Sequence, residues 1–131
     1  MLRAAEVIVF PDPVDAATAA VEQISGAALS VPIVGRVPEV RPKQFVRILS
    51  AGGSRETLVS RRQTLLVEGW AQTETAAMRL CEISIATLLA VEGDIFGGIE
   101  IASPALLPDP TSTQERATAT VEVRVRGTVL A

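Results

Sequence analysis

Apolar positions follow two rhythms along the chain, and the switches between them mark out its elements. Val14, Ala17, Val21 and Ile24 fall at helical spacing. Asp12 stands where an N-cap accepts backbone N–H bonds, Pro13 fits the first helical position, and Asp15 puts negative charge in the first turn. The pattern predicts a helix from Asp12 that closes near Ser25 and Gly26. The same rhythm returns in Ala77, Leu80, Cys81, Ser84, Ile85, Leu88 and Leu89. This predicts a second helix over 74–90, with Thr73 as its cap and Gly93 as its stop.

Between and after the helices the period falls to two. Val31 to Pro38 is rich in β-formers but carries prolines, which restrict it to an edge strand or an extended connector. Phe45 to Leu49 and Thr64 to Trp70 read as two further strands. Ser50 to Arg62 between them reads as a long polar loop, with Gly52, Gly53, Arg55, Arg61 and Arg62 in it and Leu58–Val59 extending one flank. Ile99 starts a fourth strand that continues past Pro104 to Leu107, and residues 108–113 form a turn-rich connector. From Ala117 to Arg126, Ala and Val alternate with Thr, Glu and Arg, the mark of a strand with one buried and one wet face.

Helix, three strands, helix, two strands predicts an α+β fold. Its sheet is mostly antiparallel, of four to five strands, with two helices packed on one face. Residues 1–131 read as a single domain, of which 1–11 form an N-terminal strand or arm. Val7 to Phe10 within it suits an added strand, an arm clasping a neighbour, or part of the core. That apolar run, broken by Pro11, is too short for a signal-peptide core or a membrane span. A soluble protein is expected.

Composition narrows the chemistry. Apolar residues make up 48% of the chain but aromatics only 3%, so few anchors are available to line a small-molecule pocket. A net charge of −3 argues against nucleic-acid binding as the main task, which needs a concentrated basic face. The lone Cys81 allows no internal disulfide and no Cys-based zinc site, in keeping with a reducing cytoplasm. It lies within the second helix's apolar stripe, where a buried thiol is the favoured reading over a nucleophile.

The absence of histidine removes the Ser-His-Asp and Cys-His arrangements and most catalytic zinc sites. Asp12 with Asp15 and Glu92 with Asp94 are the close acid pairs, and neither has calcium-loop spacing. Residues 51–55, AGGSR, lack the Gly-Lys-Ser/Thr ending of a phosphate loop and lead into no helix. No catalytic, cofactor or metal residue emerges, and no enzyme is expected. What is left is contact chemistry. Arg55, Arg61 and Arg62, with Gly52 and Gly53 giving mobility, are placed to meet an acidic surface on a partner protein. The other reading is plain solvated loop charge. Trp70, the single Trp, reads as a core-edge residue more readily than as an interface anchor.

VPIVGRVP at 31–38, RPKQFVRI at 41–48, the Gly/Arg segment, and TLLVEGWAQTETAA at 64–77 resemble one family. These strings are similar to the tail terminator (tail completion) proteins of long-tailed, siphovirus-type phages of actinobacteria, over residue 12 to the end. The resemblance implies a small virion structural protein without cofactor. Copies of it form a ring, expected to be hexameric, at the head-proximal end of the tail tube. The ring stops polymerisation and offers a docking surface to the head connector in the neck, and viral DNA passes through it without specific binding. Its implied partners are itself, the tail tube protein and the head-closure protein, with no membrane. It would be made in the host cytoplasm and reside in the virion. Another neck or tail component, or a cellular small-molecule-binding α+β domain, are the alternatives.

Overall fold

The computed structural model describes residues 1–130. In chain order its elements are β1 (Ile8–Val9), α1 (Pro13–Leu29), β2 (Ile33–Val34), β3 (Phe45–Arg55), β4 (Ser60–Ala71), α2 (Glu74–Ala90), β5 (Ile95–Leu106), β6 (Glu115–Arg126) and β7 (Thr128–Val129). The main sheet has five strands in the order β2-β3-β4-β6-β5, and β1 pairs with β7 in a separate two-stranded sheet. The fold is α+β, with two helices covering one face of the five-stranded sheet.

The two-residue alternation decides which face is covered. Leu65, Val67 and Ala71 on β4 and Ala117, Ala119, Val121, Val123 and Val125 on β6 are all buried, and they share one core with Val21, Leu80, Cys81, Ile85 and Leu88 of the helices. Gly69 lets α2 lie directly on β4. A Cβ at that position would run into the backbone carbonyl of Ala77 and come within 2.9 Å of the amide nitrogen of Cys81. Helix α2 occupies the predicted span, with Thr73 Oγ1 accepting from the Ala76 amide at 3.2 Å.

Several features differ from the sequence expectation; the strand expected from Ile99 already begins at Ile95, and Thr128–Val129 add a strand that was not expected. Helix α1 does not stop at Ser25–Gly26 but runs on to Leu29, and Ser30 closes it in the left-handed conformation. Burial of Leu29 favours the extra turn, and Ser25 Oγ meets Thr87 Oγ1 of α2 at 2.6 Å. Ile24, assigned to the buried stripe, is exposed; Ala20 takes its place in the core.

Strand β2 is the expected edge strand but is parallel to β3, with Ile33 opposite Val46 and Val34 opposite Arg47. The ten intervening residues, 35–44, return the chain to its starting end, which parallel pairing requires.

Residues 50–62 are not a loop. Strands β3 and β4 extend through them as a hairpin that turns at 56–59. Gly52 (φ 95°) sits in a bulge where the register shifts between Ser50 and Gly53, and a side chain on Gly53 would collide with the backbone carbonyl of Arg62. These glycines bring two strands together; they do not serve a mobile loop.

Candidate assembly interface

The five-stranded sheet ends differently on its two sides. On one side β5 is the outermost strand, so its twelve residues pair with β6 alone. Ile99 (49% exposed) and Ile101 (58% exposed) lie along it, with exposed Leu106 and Leu107 at its end. On the other side β2 covers β3 only at Val46 and Arg47. From Ile48 to Arg55 the outer edge of β3 has no strand beside it.

An unpaired edge is a template for another chain unless it is blunted. Strand β5 carries two kinds of blunting device: Pro104, which has no N–H to donate, and bulge-like register shifts. The nine residues from Ile95 to Ser103 carry no proline. Register shifts between Phe96 and Ile99 and between Glu100 and Ala102 bend the strand.

The five sequence-assigned contact residues share this hairpin but are not equivalent. Arg55 and Arg61 face each other across the β3–β4 ladder and both lie over the ring of Phe10, at 4.8 Å and 4.6 Å from its centroid. Arg55 Nη1 also donates to the carbonyls of Ile8 and Leu58, at 3.5 Å and 3.4 Å. The two arginines thus hold the segment before α1 onto the hairpin, next to the β1–β7 pair. Within Val7 to Phe10, Ile8 and Val9 form strand β1, while buried Ile8 and the Phe10 ring against the core make the segment part of the core as well.

Arg62 points to the opposite face, where its Nε lies 3.8 Å from Glu56 and 3.7 Å from Glu122. Gly52 and Gly53 shape the bulge that precedes these pairs in β3. The structure therefore puts Arg55 and Arg61 in one cluster and Arg62 in another.

The face of the sheet away from the helices is laced with ion pairs. Glu68 receives Arg47 at 3.4 Å and Arg116 at 4.0 Å, and Glu56 receives the Arg124 Nε donor at 2.9 Å. That bond chiefly holds the Glu56 carboxyl below its ordinary pKa, with the charges of Arg124 and Arg62 adding to it and burial opposing. Between the two ion-paired rows runs an uncharged one: Leu49, Leu66, Thr120 and Ala102 stand opposite one another across four strands.

The helix layer is the reverse. Asp12, Asp15, Glu22, Glu74, Glu82, Glu92 and Asp94 are all exposed, and none is in an ion pair among the described residues. Arg79 is the one basic residue of that layer.

Cys81 is fully buried and donates to the carbonyl of Val67 at 3.5 Å; burial pushes its thiol pKa up to about 12. Among the described residues no three His, Cys, Asp or Glu side chains converge as a metal site, and no helix is long and apolar enough to cross a membrane. Two shallow depressions mark the helix side. One, of about 380 Å³, lies on α2 around Met78 and Ile83, and the other, of about 300 Å³, lies between α1 and residues 91–95.

Sequence reasoning missed two functional candidates. Phe10 as a platform for two arginines had no signal in the sequence. The exposure of Ile99 and Ile101 depends on β5 being outermost, which strand patterns do not report. Comparison with family models and with curated proteins finds no match for the chain.

Proposed function

We propose that the chain is a structural virion subunit that closes with copies of itself into a ring at the head-proximal end of a phage tail tube. The ring, hexameric in keeping with the family the sequence resembles, terminates tube growth and presents a docking surface to the head connector. Viral DNA passes through it unread.

One observation carries the proposal: the sheet has two unlike open edges, β5 on one side and the outer half of β3 on the other. A closed ring needs a heterologous contact, in which one surface of each copy meets a different surface of the next. Two unlike edges on opposite sides of one sheet meet that requirement without rearrangement. Ion pairing on the open sheet face supports the proposal further, since Arg47, Arg62, Arg116 and Arg124 already have carboxylate partners and offer little to nucleic acid.

The function is tested by polymerising the cognate tail tube protein with and without this chain. The expected result is tubes that stop at a capped end when the chain is present. Unlimited growth in its presence contradicts the proposal. Polymerisation of the chain itself into long tubes makes it a tube subunit instead.

A further inference from the structure

We infer that neighbouring copies join by strand addition, β5 of one copy pairing antiparallel with the Ile48–Arg55 stretch of β3 on the next. The inference rests on the ring proposal and names the contact that closes it.

Three observations lead there. The first is direction. Strands β3 and β4, β4 and β6, and β6 and β5 are each antiparallel, so β3 and β5 run opposite ways. Rotation about an axis along the strands preserves direction, and β5 therefore meets the next copy's β3 as an antiparallel partner. Antiparallel pairs need no crossover and are slightly the more stable kind per residue.

The second is height. Following pairs across the sheet, Ser50 is level with Glu100 through Leu65 and Val121, and Arg55 is level with Ile95 through Arg61 and Val125. From Leu49, level with Ala102 through Leu66 and Thr120, to Arg55, the uncovered part of β3 thus stands level with the proline-free residues of β5. Ala105, next to Pro104, is level with Arg47 through Thr118 and Glu68, where β2 already occupies the β3 edge. Pro104, between Ala102 and Ala105, falls at the end of the uncovered stretch that adjoins β2.

The third is charge. Glu92 and Asp94, exposed and without an ion pair, immediately precede Ile95. At matched height Arg55 of the next copy lies beside them, and its guanidinium has no carboxylate partner within its own chain among the described residues. Carboxylate and guanidinium brought together at an interface fix register as well as adding attraction.

Cysteine pairs test the pairing. Within one chain Ser50 and Glu100 are three strand spacings apart, about 14 Å, too far for a disulfide. Ser50→Cys with Glu100→Cys should therefore give, on oxidation, a ladder of covalent oligomers ending at the ring. Ser50→Cys with Leu106→Cys, off level by several residues, should not. Rings in micrographs with no ladder from the level pair, or equal ladders from both pairs, overturn the strand pairing and leave the ring intact. A chain that stays monomeric, and is absent from tube ends, overturns both.

A charge swap on exposed residues checks the same contact without a new bond. Arg55→Glu should raise the concentration for half-assembly by roughly tenfold, and adding Asp94→Arg should restore it. Unchanged assembly by Arg55→Glu, or no rescue in the double variant at matched melting temperature, contradicts the pairing.

Discussion

The rings of Phe45 and Trp70 stack with centroids 5.3 Å apart and planes 11° from parallel, on the sheet face opposite the helices. The guanidinium groups of Arg41 and Arg116 lie over the indole at 5.3 Å and 5.2 Å, leaving Trp70 only 2% exposed. Its Nε1 donates to Glu68 at 3.2 Å. Offset aromatic stacking adds to the large area these rings bury. Trp70→Ala should cost about 3–5 kcal/mol of stability, read by circular dichroism in a urea titration. A loss under about 1 kcal/mol would mean that this second, smaller core contributes little.

Gly69 marks the closest approach of β4 and α2. Gly69→Ala drives a methyl into the backbone of Ala77 and Cys81, which a packed helix cannot yield cheaply. The expected loss is about 1–3 kcal/mol in chemical denaturation. Gly26→Ala, where nothing stands within 4 Å of the added carbon, should instead leave stability unchanged or raise it by up to about 1 kcal/mol.

Cys81 should be silent until the chain unfolds. With its pKa raised to about 12, only about one thiol in ten thousand is ionised at pH 8, and the core covers it. A thiol reagent at pH 8 should react in urea and not in buffer. Fast labelling of the folded protein would contradict this burial.

The Glu56–Arg124 pair predicts a pH dependence. The folded-state pKa of Glu56 is lowered, so the stability it contributes is present above the ordinary carboxylate range and lost as pH falls through the lowered value. Glu56→Gln should melt slightly below the parent near neutrality, and that gap should close on acidification. A gap independent of pH would show that the carboxylate's charge is not what the pair uses.

Much of this fold was legible because long amphipathic patterns are read against a single covered face. Helix α2 and strand β6 each bury one side along their whole length, and their boundaries came out within two residues. The hairpin was not legible. Beyond Ser50 neither helix covers β3, so no apolar alternation is required in it, and exposed Gly, Ser and Arg in a strand look like a loop. Helix α1 was cut short because Ser25 and Gly26 carry stop chemistry locally, whereas the contact with Thr87 that extends the helix lies 62 residues away. The candidate interface suffered in the same way. Arg55, Arg61 and Arg62 were found by type, but which of them leans on Phe10 and which joins Glu122 follows from strand parity once the hairpin exists.

Electron microscopy of the purified chain, alone at high concentration and mixed with tail tubes, bears most directly on ring formation. Closed rings of uniform size are expected, free in solution or seated on one end of each tube. Particles that remain monomeric in both preparations, with tube ends bare, would contradict it.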